Sequence, residues 1–258
     1  MTIEWLHEAR SDDGQRFRIG RRGRTWIAEW DGLLRLEAEA GREPRIEARS
    51  ESLTVGKLRQ GAVPALLGHL DGPLHWHASA CAWGSGPAVL FLGDAGAGKS
   101  TLVAGLCAHT GAAFLGDDVV AIAPEATSFW VHRREDRHAL RSDMAASLFG
   151  HESPAKSLFD TTDARDRAPL GMIVSLSVGD TLALRPLAMR RKVQVLTHNL
   201  VRFALDDGAR LQRDLDLVMA LVAEVPVYSL VCPRPLSAWS EVARLLGAGL
   251  RGDLVPGP

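Results

Sequence analysis

The segment Gly93-Asp94-Ala95-Gly96-Ala97-Gly98-Lys99-Ser100-Thr101 constrains this chain more than any other. It matches G-x-x-x-x-G-K-[ST] at every required position, a match that chance gives in roughly four of a thousand chains of this composition. The glycines let the backbone curl until successive N–H groups point inward at an anion. A helix starting at the end of the loop aims its positive dipole end at the same place. Lys99 then reaches β- and γ-phosphates, and the Ser100 hydroxyl is placed to ligand Mg²⁺. The context agrees, because Ala88 to Leu92 (AVLFL) reads as a fully buried strand and Lys99 to Ala108 as a helix. The alternative, a glycine-rich turn that binds nothing, leaves this arrangement unexplained. Of 30 basic residues only Lys57, Lys99, Lys156 and Lys192 are lysines, which makes the loop lysine more informative still.

Around the loop the chain reads as alternating strands and helices. Leu74 to Trp83 suits a strand, and Ala113 to Leu115 and Val119 to Ile122 suit short strands around Gly116-Asp117-Asp118, with Pro124 ending the run. Met172 to Val178 and Leu182 to Leu187 read as a strand pair turning at Gly179-Asp180. Ala188 to Ala204 and Asp207 to Glu224 look helical, Val227 to Val231 extended, and Ser237 to Leu250 a closing helix with Ser237 as N-cap. A charged excursion over 131–169 is expected to hold a helix near Ser142 to Phe149. This alternation implies an α/β layered domain. We expect it to span 57–258, opening with a helix from Lys57 to Leu70 that Pro64 opens or interrupts. Residues 1–56 alternate with period two between glycines and predict a small β-rich subdomain. Trp5, Trp26 and Trp30 are its expected packing residues, a partner surface being the alternative. Val218, Leu221, Val222 and Val225, at helical spacing, are expected in the core.

With 258 residues the chain is long enough for a real core, and its apolar fraction of 46% is ordinary. Net charge is −1, which argues against a nucleic-acid partner. No apolar run reaches a membrane span, since the longest, Leu217 to Val231, contains Glu224 and Pro226. The start of the chain lacks a signal-peptide pattern. Cys81, Cys107 and Cys232 are odd in number and widely spaced, unlike a disulfide framework. A cytoplasmic protein is the expectation.

Phosphoryl chemistry also needs a carboxylate near Mg²⁺ and a proton acceptor. Asp117-Asp118, one helix after the loop, is the preferred source, because adjacent residues at a strand end can divide the two duties. An ordinary turn is the competing reading. Asp180 is a second candidate, but a Gly-Asp-Thr hairpin turn is the usual habitat of Asp. His77 would lie near the carboxylates if its strand neighbours the loop strand, with a simply packed histidine as the alternative. A zinc site from His75, His77 and Cys81 lacks an evident fourth ligand. Arg133-Arg134 and Arg190-Arg191-Lys192 read as solvated surface or as a hold on an acidic acceptor.

The His77-Ala78-Ser79 strand, the strand–GDAGAGKST–helix unit and Gly116-Asp117-Asp118-Val119-Val120 together resemble the catalytic domain of HPr kinase/phosphorylase. The chain is more similar still to HPr-kinase-related proteins, some of which modify lasso peptides, and the fold is related to phosphoenolpyruvate carboxykinase. The likeness covers 74–122 strongly and 170–250 more weakly. It implies an ATP- and Mg²⁺-dependent kinase acting on Ser or Thr of a peptide or small protein, for instance a ribosomal peptide. It implies Lys99 and Ser100 on the ATP phosphates and Mg²⁺, Asp117 as base, Asp118 as the metal-side carboxylate, and His77 supporting the base. A homo-oligomer, a small-molecule acceptor and a nucleotide-binding partner protein that transfers no phosphate are left open.

Overall fold

The computed structural model describes residues 2–10, 14–133, 137–140, 157–160, 165–203, 208–234 and 238–253. Period-two alternation near the start folds as expected from side chains that point to opposite faces. Strands β1 (Glu4–Arg10), β2 (Arg16–Arg22), β3 (Thr25–Trp30), β4 (Leu34–Ala38) and β5 (Arg45–Ala48) form an antiparallel sheet in that order. Its inner face, including Ile19, Trp26, Ala28, Trp30 and Leu36, packs with Val55, Val63, Leu66 and Leu70. These last come from α1 (Leu53–Gln60) and α2 (Ala62–Asp71). The outer face carries a charge ladder: Arg18 and Arg35 each reach Glu29 at 2.5 Å, Arg35 reaches Glu37 at 2.8 Å, and Arg22 reaches Glu37 at 3.0 Å. Trp5 does not join Trp26 and Trp30 in the core. It is 36% exposed, on β1 at the sheet edge, with the Arg18 guanidinium 4.0 Å from its ring centre.

The single helix expected over Lys57 to Leu70 is two helices meeting at Gly61, the first capped by Ser52 accepting from the Val55 amide. Pro64 falls in the first turn of α2, where its missing N–H has no intrahelical acceptor to lose. Because both helices pack on the five-stranded sheet, the first compact unit runs past residue 56. It comprises Met1–Pro73 with Arg202–Leu211, and the second comprises Leu74–Val201 with Gln212–Pro258.

The second unit is a mixed α/β structure. Its elements are β6 (Leu74–Trp83), β7 (Ala88–Leu92), α3 (Lys99–Thr110), β8 (Ala112–Gly116), β9 (Val119–Glu125), β10 (Ser128–His132), β11 (Arg137–Leu140) and β12 (Ser157–Asp160). They continue with β13 (Arg167–Val178), β14 (Ala183–Pro186), α4 (Met189–Asn199), α5 (Gly208–Glu224), β15 (Val227–Cys232) and α6 (Trp239–Arg251). The main sheet runs β10-β9-β6-β7-β13-β15-β14, with β8 paired to β6. Strands β7, β13 and β15 are mutually parallel and the remaining pairs antiparallel. The AVLFL run is apolar throughout because β7 is covered on both faces. Val89 and Phe91 pack with Leu102, Val103 and Leu106 of α3 and Val242 and Leu246 of α6. Leu90 and Leu92 pack with Val195 and Leu196 of α4 and Val218, Leu221 and Val222 of α5.

Two local expectations are corrected. β13 and β14 are not a hairpin, because β15 lies between them, parallel to β13 and antiparallel to β14. β9 continues through Pro124 to Glu125 instead of ending at the proline. β6 stops opposite Ile122, so beyond it β9 has no β6 ladder bond for Pro124 to miss. The helix expected near Ser142 and the Ser237 cap lie outside the described residues. Cys81, Cys107 and Cys232 form no disulfide, and burial pushes the Cys232 thiol up to about 11. Among the described residues no helix is long and apolar enough to cross a membrane.

Candidate functional site

The parallel strand β7 delivers the chain into the glycine-rich loop, and α3 begins at its far end. Gly93 has φ +148°, and a Cβ there would stand 2.7 Å from the Leu176 carbonyl oxygen of β13, so no larger residue fits. Gly98, the N-cap of α3, has φ +99°. No side chain caps this helix, and no acidic residue occupies its first turn. Its first amide groups, which lack intrahelical acceptors by geometry, therefore face the loop with the positive dipole end behind them. Behind the glycine-rich loop, α3 thus starts in the manner of an anion site. The Lys99 ammonium donates to the carbonyls of Gly93 at 2.6 Å and Asp94 at 3.2 Å, which holds it over the loop. Ser100 and Thr101 are half-buried in the first turn.

The neighbouring strand β6 carries the second half of the site. It pairs with β7 through Ala78↔Leu92 and with β9 through His77↔Val119, so the loop and the Asp117-Asp118 turn flank it on opposite sides. Two strand spacings separate them, about 10 Å. The turn is tight: the Val119 amide donates to the Asp117 carbonyl at 2.9 Å across Asp118, which has φ +68°. That is a strained γ-turn, a conformation costing about 1–3 kcal/mol that is usually kept where function needs it. The strain sends the two carboxylates into different environments. Asp117 is 1% exposed, and its Oδ1 accepts from the Ser79 hydroxyl at 2.6 Å, while Asp118 is exposed. His77 is exposed on β6 beside the turn, and the Ala78 amide that follows it donates to the Asp118 carbonyl at 3.3 Å.

Several residues that sequence reasoning passed over complete the arrangement. Ser79 orients Asp117; a serine in an apolar strand gives no signal of its own until its partner is known. Asn199, at the end of α4 and 6% exposed, accepts from the Gly93 amide at 3.2 Å and donates to the Val195 carbonyl at 2.9 Å. The next residue back, His198, meets Asp94 at 3.2 Å on the surface. α4 ends here because the chain beyond it is tied to β6, through Trp76↔Leu200 and the Val201 amide on the His75 carbonyl at 2.8 Å. Arg234, just after β15, donates to the Gly96 carbonyl and brings a second cation to the loop. Asp180 is exposed in the connection crossing the end of β15 to β14, on the side of β13 away from β7. His75 is buried and His77 exposed, and among the described residues no three His, Cys, Asp or Glu side chains converge on a metal position.

No protein-family model matches the chain, and no curated protein matches it. Among solved structures, the Hpr(Ser) kinase/phosphatase from Coxiella burnetii is similar at 12% identity and a TM-score of 0.39, over 69% of this chain and 97% of that one. A likeness that loose carries no argument, so the function must be read from the residues themselves.

Proposed function

We infer that this protein is an ATP- and Mg²⁺-dependent kinase that phosphorylates a hydroxyl, most naturally Ser or Thr of a peptide or small protein. The observation that carries this reading is the uncapped, acid-free start of α3 behind the Lys99 loop, flanked across β6 by a strained Asp pair. Loop amides from Gly93 to Thr101 hold the phosphate chain of ATP, Lys99 leans from the loop carbonyls onto the β- and γ-phosphates, and Arg234 adds positive charge. A Mg²⁺ ion suits the donors present, because it binds through few protein oxygens and keeps several waters. Ser100 and the exposed Asp118 would hold it, and when bound it supplies charge that neutralises the transferring phosphoryl group.

The acceptor hydroxyl oxygen bonds to the γ-phosphorus as the bond from that phosphorus to the β,γ-bridging oxygen breaks, and ADP leaves. The hydroxyl proton passes to Asp117, which Ser79 holds in place and His77 supports from the same strand. Catalysis is mainly positioning and charge stabilisation. The burial of Asp117 favours a second assignment, in which exposed Asp118 takes the proton and Asp117 faces the metal.

Asp117→Ala is expected to abolish transfer of label from γ-labelled ATP while ATP binding persists. Titrating Mg²⁺ against Asp117→Asn and Asp118→Asn separates the two assignments. The variant whose lost rate is partly recovered by excess Mg²⁺ marks the metal-side carboxylate. Full transfer by Asp117→Ala would remove that residue from the chemistry. Nucleotide binding without transfer to any acceptor would instead support a nucleotide-switched partner protein.

A further inference from the structure

We propose that the turn from β14 into α4 is a docking surface for an acidic segment of the acceptor, a reading that rests on the kinase assignment. Arg185 on β14 and Arg190, Arg191 and Lys192 in the first turn of α4 bring four cations to one connection. Arg185, Arg190 and Arg191 are exposed and Lys192 half-buried. Arg185, Arg190 and Lys192 make no ion pair among the described residues, and Arg191 bonds to the neutral Gln194 at 3.3 Å. In the ladder through Glu29 and Glu37, by contrast, each arginine sits on a carboxylate.

Their placement also opposes the fold. Cations in the first turn of a helix face the positive end of its dipole, and α4 has neither an acidic residue there nor a side-chain cap at Ala188. A local cost of this kind with no compensating contact points to use in recognition. Beside Lys192 lies a cavity of about 280 Å³ lined by Leu187, Val225, Val227 and Tyr228, with Glu224 its one acidic lining residue. It offers a recess of mixed polarity to a side chain flanking the acidic run. The opposite end of α4 holds the phosphate loop through Asn199 and His198. Its 11 residues span about 16 Å, within reach of a peptide a few residues long.

The test measures binding of a fluorescent, glutamate-rich serine peptide and its glutamine counterpart to the full chain, with and without R190Q/R191Q/K192Q. The expected result is salt-sensitive binding of the acidic peptide alone, weakened roughly tenfold or more in the variant. Removing cations that oppose the dipole should leave the melting temperature of the variant unchanged or raised, and ATP binding intact, which separates lost docking from lost folding. Equal binding of the two peptides, or undiminished binding by the variant, overturns the proposal. So does an RNA oligomer or an anionic vesicle engaging these residues while the acidic peptide does not. Acidic-peptide binding with no label transfer would refute the kinase reading and leave the docking surface standing. Label transfer indifferent to acidity and to the variant would do the reverse.

Discussion

Ser79 shows how a single hydroxyl ties strand geometry to the direction of a carboxylate. Fully buried on β6, it donates to Asp117 at 2.6 Å and fixes the direction of that carboxylate. A hydrogen bond to a charged group contributes about 1.5–3 kcal/mol. On the proposed kinase reading, Ser79→Ala is therefore expected to lower kcat roughly 10- to 100-fold with little change in the KM for ATP, because the glycine-rich loop lies on the other side of β6. Steady-state kinetics checks this, and a rise in KM with unchanged kcat would place Ser79 in ATP binding instead. The loop residues were legible because G-x-x-x-x-G-K-[ST] has a mechanical reason at each position. Ser79, Asn199 and Arg234 were not, since each acts through a partner distant in sequence. The separate environments of Asp117 and Asp118 were also hidden, because they follow from a positive φ at Asp118 that two adjacent aspartates do not announce.

Among the elements, α4 links the site to the rest of the second unit. Asn199→Ala would leave the half-buried Gly93 amide without its acceptor, a loss of about 0.5–1.5 kcal/mol for a typical hydrogen bond. The expected outcome is weaker binding of ATP and of inorganic triphosphate alike, measured by calorimetry. If thermal stability falls while both affinities hold, Asn199 merely secures the helix. Strands such as Ala88–Leu92 and the helix after the loop were readable from apolar pattern, since burial on two faces demands it. The β13–β14 pairing was misread because a Gly-Asp turn between two apolar runs looks like a hairpin whether or not another strand inserts. Only the long-range pairing of β15 decides that. The two-helix layout over 53–71 was obscured in the same way, since Pro64 signals a helix start as readily as a break.

For the molecule as a whole, the charge ladder ties the first unit to pH. Burial raises the proton affinity of Glu29, but the Arg18 and Arg35 guanidiniums overcome it and hold its carboxyl below the ordinary value of 4.5. The hydrogen bond from Arg35 lowers Glu37 likewise. A carboxylate depressed in the folded state stabilises fully above its unfolded value, and the contribution is lost as pH falls through the folded one. The first unit should therefore weaken once pH drops below about 4.5, seen as loss of the near-ultraviolet signal of Trp26 and Trp30. A signal flat to lower pH would show that the ladder is solvent-screened and contributes little. The mixed α/β character of the chain was visible in the sequence. The place of 202–211 with the first unit was not, because Phe203 meets Phe17 and His69 only after folding.

The most direct test of the central claim is transfer of label from γ-labelled ATP, with Mg²⁺, into a Ser/Thr peptide pool and a cell extract. Lys99→Ala and Asp117→Ala are run beside the wild type. Label in the wild type that is lost from both variants is the predicted result. Label that persists in both would mean that the loop and the Asp pair do not perform the transfer, and would contradict the account.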